Sequence, residues 1–158
     1  QRLIPSARRA LLYSVECLQP HIVLLPCRDT YDPACGCEVW PEDLDTDEWF
    51  TGRQRRVSIR QFPGTDCRLK NSYDIFVLGR SLQQRPGSRG NNTTTSTLFS
   101  LKWTGNIIVI KRGFRDYGTA VNITAPEISL INSLVQRFVI RFSERSRPAN
   151  PSLSDGFR

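Results

Sequence analysis

From Ile128 to Phe142 apolar residues recur three and four positions apart: Ile128, Ile131, Leu134, Val135, Phe138, Val139 and Phe142. That spacing winds a wide apolar stripe along one face of a helix, and the stripe must be buried against something. Thr124 as N-cap, Pro126 in the first turn and Glu127 three residues after the cap predict the helix start and a capping box. Arg141 and Arg145 fall near the helix end, where the dipole favours cations. A shorter stripe, Ala7, Ala10, Leu11, Val15 and Leu18, predicts an N-terminal helix over Pro5 to Leu18. Pro5 and Ser6 suit its start and Pro20 its end. Arg8 and Arg9 would then sit in its first turn, where the dipole disfavours them.

Between these helices the pattern shortens to that of strands. His21 to Leu25 (HIVLL) is apolar and β-branched, and predicts a short buried strand. Arg56 to Phe62 alternates polar and apolar and predicts a half-exposed strand closed by the Pro63-Gly64 turn. Tyr73 to Leu78 predicts a further strand. Leu98 to Trp103 and Ile107 to Lys111 flank Thr104-Gly105-Asn106 and predict a hairpin, with Ala120 to Ile123 as an additional strand. Pro26 to Gly52 has no period and carries the acidic run Glu42 to Glu48, so it reads as a long irregular acidic insertion. Residues 81–96 are polar and rich in Gly, Ser, Thr and Asn, which predicts a flexible loop.

The expected fold class is α+β: a mainly antiparallel sheet with an N-terminal helix and a long amphipathic C-terminal helix, interrupted by the acidic insertion. Residues 1–146 form one domain in this reading, and 147–158 a tail or linker. The chain starts at Gln1 and contains no Met, which suggests a processed piece of a larger polypeptide. No apolar run is long enough to span a bilayer.

Charge changes the picture more than composition does. The net charge is +7, but residues 28–50 set eight acids against one arginine, while residues 51–115 set thirteen Lys or Arg against Asp66 and Asp74. The two stretches either lie against each other or leave a basic face for a partner. The basic candidates are Arg53, Arg55, Arg56, Arg60, Arg68, Lys70, Lys102, Lys111, Arg112 and Arg115. Alternate positions on strands point the same way, so these residues can form a patch, and arginine suits bidentate contacts to phosphate or carboxylate. Tyr73, Trp103, Phe114 and Tyr117 lie among them as candidates for stacking on bases.

Five cysteines, Cys17, Cys27, Cys35, Cys37 and Cys67, cannot all pair within the chain. Cys17 reads as a small core residue. Cys27, Cys35, Cys37 and Cys67 are the candidate zinc ligands, with His21 nearby, although the usual C-x-x-C pairing is absent. Asp43, Asp45 and Asp47 resemble the start of a calcium loop, but Glu48 occupies the glycine position and Gln54 that of the bidentate glutamate. Asn91, Asn92 and Asn122 each open an N-x-[ST] sequon. With odd cysteines the expected compartment is intracellular, nuclear or cytoplasmic.

The single histidine, His21, lies in an apolar strand, and no phosphate-loop, dinucleotide, nucleophile-elbow or metalloprotease motif is present. The expectation is therefore a non-enzymatic binding module with a basic face that engages nucleic acid. The alternative is a protein-interaction or assembly domain whose partner is an acidic protein surface or the rest of a larger chain. A carboxylate–metal enzyme is the third reading.

Overall fold

The computed structural model describes residues 7–28, 39–50, 53–78, 90–113 and 118–146. Within them the chain is α+β, with a six-stranded antiparallel sheet and a long C-terminal helix. The strands are β1 (Arg8–Tyr13), β2 (His21–Leu25), β3 (Gln54–Gln61), β4 (Arg68–Leu78), β5 (Ile107–Arg112) and β6 (Ala120–Val121). Their spatial order is β2-β1-β5-β4-β3, with β6 also paired to β5, so β2 and β3 form the two ends of the path. Helix α1 covers Thr93–Phe99 and helix α2 Ile128–Ser146.

Strand alternation feeds two cores. Leu11 and Tyr13 of β1, Tyr73, Ile75 and Val77 of β4, and Ile107 and Val109 of β5 face α2, whose Ile131, Leu134, Val135, Phe138 and Val139 complete that cluster. Each such side chain contributes about 1.5–3 kcal/mol of transfer free energy when buried, so the helix stripe predicted from the sequence is docked firmly. The intervening residues Ala10, Leu12, Phe76, Ile108 and Ile110 face the opposite way, where Val39, Leu44 and Phe50 cover them. Part of the predicted insertion is therefore a lid on the second face, turned through a short 3₁₀ segment at Pro41–Asp43.

Two predicted elements are corrected. The expected N-terminal helix is strand β1, flanked on both sides by β2 and β5. Its core, Ala10-Leu11-Leu12-Tyr13, is buried on both faces, and a short continuous apolar run suits a central strand as well as a helix. The strand ends where the Ser14 hydroxyl accepts hydrogen bonds from the N–H groups of Glu16 and Cys17. Arg8 and Arg9 thus oppose no helix dipole.

The expected hairpin is the second correction. Residues 93–99 form α1, so Leu98 to Trp103 is not a strand, and β5 pairs instead with β1, β4 and β6. Three consecutive threonines are weak helix formers, but Asn92 caps the helix, and the Thr93 and Thr94 hydroxyls donate to the carbonyls of Val15 and Cys17. Tertiary hydrogen bonds override local propensity here. The helix also occupies part of the stretch predicted to be a flexible loop, of which residues 81–89 lie outside the described residues, as does the predicted tail.

The remaining predicted strands and the C-terminal helix form with adjusted limits. Strand β2 forms, but as an end strand with Ile22 and Leu24 exposed rather than as a buried one. Strand β4 extends back to Arg68 as the partner of β3. Between them, Phe62 to Thr65 closes the hairpin, with Gly64 at φ +81 and the Thr65 N–H donating to the Phe62 carbonyl. Pro then Gly in the central positions, with Gly in the left-handed region, is the signature of a type II turn. The capping box at α2 is present.

Glu127, the acid of that box, links three elements. Its carboxylate accepts from the Thr124 N–H at 2.9 Å, the Tyr73 hydroxyl at 2.6 Å and Lys111 Nζ at 3.0 Å. Burial opposes ionisation of Glu127, but the hydrogen bonds from Tyr73, Thr124 and Lys111 outweigh it and hold the carboxyl below its ordinary value of 4.5. A lowered folded-state value means that the stability it lends is complete above pH 4.5 and is lost as pH falls through the folded value. Thermal melts across a pH series should therefore show Glu127→Gln less stable than wild type at neutral pH, with the gap narrowing below pH 4.5. A gap that stays constant into acid would refute this linkage.

Candidate basic groove

The predicted basic face divides once its residues are placed. Lys111 is committed to Glu127. Arg112 Nε donates to Asp74 at 2.9 Å, and Arg56 reaches both Glu42, at 2.8 Å, and Asp74, at 3.7 Å. These three cations are structural. Arg56 and Arg112 hold the acidic segment and the buried Asp74 on the second face, and Arg28 adds a pair with Asp47 at 3.7 Å. The acidic and basic stretches do lie against each other, but only in part. Arg53, Arg55, Arg60, Arg68, Lys70 and Lys102 remain exposed, Lys102 beyond α1 and the others on or beside the β3–β4 hairpin. Arg115 lies outside the described residues.

Along the open side of that hairpin runs a groove of about 380 Å³, lined by residues 57–65 and by Arg137, Phe138, Arg141 and Phe142. One wall is β3 and its turn; the other is the C-terminal half of α2. Val57, Ile59 and Phe62 turn towards the helix and pack on the cluster beneath it, so the floor is apolar. A register irregularity between Ile59 and Gln61 bends the strand near Arg60, as bulges do.

The rim is arginine. Arg137 stands 5.7 Å above the Phe62 ring and Arg55 stands 5.4 Å above the Phe142 ring, both within cation–π range. Arg141 is one helical turn beyond Arg137, and two like charges at that spacing repel slightly. Among the described residues no carboxylate lies within ion-pair distance of Arg55, Arg60, Arg137 or Arg141. The groove therefore concentrates uncompensated positive charge over an aromatic floor.

Arg137 was absent from the sequence-derived set, and Arg141 entered only through the helix dipole. The signal was an arginine immediately before the stripe residue Phe138 and another immediately before Phe142. The aromatic candidates fare differently. Tyr73 is buried, with its phenol pushed up by burial and by Glu127, and Trp103 stacks on Phe138 at 5.4 Å. Phe114 and Tyr117 lie outside the described residues. Phe62 and Phe142, not anticipated as stacking residues, line the groove instead.

The metal candidates do not assemble among the described residues. Cys27 is half-buried and bridged by its backbone to Leu44, and Cys67 is exposed in the β3–β4 turn. Cys35 and Cys37 lie outside the described residues. No three of His, Cys, Asp and Glu converge among the described residues, and His21 pairs with Leu12 in the ladder. Cys17 is half-buried in the turn after β1 rather than in a helix. Of the sequons, Asn91 and Asn122 are exposed, whereas Asn92 is buried. No helix among the described residues is long and apolar enough to cross a membrane. Comparison with known protein families, characterised proteins and solved structures returns no match.

Proposed function

We propose that this chain is a binding module that takes an extended, negatively charged partner into the groove between β3 and α2. The observation that carries the reading is the set of four arginines, Arg55, Arg60, Arg137 and Arg141, gathered from two elements without carboxylate partners among the described residues. Such a rim selects anions, and guanidinium forks bind phosphate or carboxylate bidentately. A nucleic-acid strand answers to it with phosphates on the arginines and bases against Phe62 and Phe142. An acidic protein segment answers to it with carboxylates, and a second feature, the edge of β3 that has no strand partner among the described residues, favours that partner.

The test is fluorescence anisotropy with labelled single-stranded and duplex DNA, RNA and polyglutamate, each across a salt series. Binding of at least one polyanion should weaken linearly in log–log salt. For a nucleic acid, Arg60→Gln, Arg137→Gln and Arg141→Gln should each lower the slope by about one phosphate contact. Absence of binding to every polyanion at low salt would remove the proposal.

A further inference from the structure

Strand β3 is eight residues long and ends the sheet. One side of its backbone is satisfied by β4; on the other, alternate N–H and C=O groups have no strand partner among the described residues. An open edge of this length is a template for another strand. Proteins commonly blunt such edges with charged side chains, and the arginines of β3 serve that end against a second copy of the chain. Two β3 edges laid side by side would bring arginine against arginine, which destabilises the pairing. Edge protection does not account for Arg137 and Arg141, which project from α2 across the groove rather than from the edge. Both walls therefore carry the same charge, and the floor between them is apolar. That combination excludes a copy of itself and admits an extended segment of opposite charge.

We propose that β3 receives an acidic peptide segment of another protein as an added strand, resting on the reading of the groove as the binding site. Period-two alternation sets the chemistry of that segment. Its backbone extends the ladder on β3, every second side chain enters the groove on the helix side, where carboxylates meet the rim of Arg60, Arg137 and Arg141 and apolar groups lie over Phe62, Phe138 and Phe142, and the intervening side chains point away from α2. The ladder supplies affinity independent of side chains, the aromatic floor takes apolar ones, and the arginine rim rejects basic sequences. A nucleic-acid strand uses the rim and floor equally well but leaves the backbone of β3 unpaired.

The distinction is measurable. The probes are a labelled peptide of β3 length carrying glutamate and leucine in turn at every second position with threonine between, the same peptide with lysine for glutamate, the glutamate peptide N-methylated at alternate residues, and oligothymidylate. Anisotropy should show binding of the glutamate peptide and none of the lysine peptide, with a loss of about tenfold or more on N-methylation or in the Arg137→Gln/Arg141→Gln variant. Amide hydrogen exchange should slow at alternate residues of β3 when the glutamate peptide is bound. Far-UV circular dichroism of the variant, unchanged from wild type, secures the comparison, and Arg60→Gln provides an independent variant outside the helix. Equal binding of the N-methylated peptide without slowed exchange would overturn strand addition while leaving the groove as the binding site. Binding of oligothymidylate but of no peptide would overturn it in favour of nucleic acid. Binding of no probe would remove both this inference and the reading it rests on.

Discussion

Asp74→Ala is expected to cost about 3–5 kcal/mol of folding stability, because it strands a cation in a nearly dry site. Asp74 has no exposed surface, on the second face of β4. Its carboxylate accepts from Arg112 Nε at 2.9 Å and from the Ser58 hydroxyl at 2.6 Å, and lies 3.7 Å from Arg56. A carboxylate at that depth is tolerable only because these donors replace its water. Arg112, itself only 17% exposed, is held on the other side by Gly118, where an added Cβ would run into the guanidinium and the backbone φ of +115 already requires glycine. Removing the carboxylate takes from Arg112 the ion-pair partner that offsets its burial. Chemical denaturation should show Arg112→Ala losing a similar amount and the Asp74→Leu/Arg112→Leu pair losing less than the sum of the single variants. Replacing a buried ion pair with apolar side chains is often neutral, whereas breaking one is not. Additive losses would show that the two residues act separately.

This network explains why the residues of the proposed binding site were only partly legible in the chain. Net charge along the sequence marks a basic stretch, but it cannot separate cations that face a buried acid from those that face water. That separation depends on register: Asp74 stands opposite Ser58 and Ile110, and no local pattern encodes which acid will face which base across a sheet. The elements themselves divide the same way. Helix α2 was legible because its stripe, cap and capping box agree with one another. Strand β1 was not, because four apolar residues in a row satisfy helix and central strand alike until their neighbours are known. Helix α1 was hidden for the opposite reason. Its threonines favour strands or turns, and its stability lies in hydrogen bonds to a segment some eighty residues earlier in the chain. The groove, finally, joins two stretches separated by about half of the chain, and only folding brings Arg137 over Phe62.

Asn92 concentrates those long-range bonds in one side chain, and its replacement is the second large loss expected. Its amide accepts from the Thr95 N–H at 3.0 Å, which caps α1, and donates to the carbonyls of Tyr13 and Gly105, each at 2.8 Å. The residue is fully buried, so no water can take over any of the three bonds. Losing the cap costs about 1 kcal/mol, and two buried carbonyls deprived of a donor cost about 1–3 kcal/mol each. Asn92→Ala should therefore lose about 3–7 kcal/mol, a large share of the 5–15 kcal/mol that holds an ordinary domain folded. Asn92→Asp separates the roles. Aspartate is as good a cap as asparagine, so if capping were the main contribution it would restore most of the stability. An ionised aspartate has no donor, however, and would set a buried charge against two carbonyl oxygens. Denaturant midpoints should place Asn92→Asp no higher than Asn92→Ala at neutral pH. A clear recovery by aspartate would mean that the amide serves α1 alone, and that the joint between β1, α1 and the turn before β5 is held by other contacts.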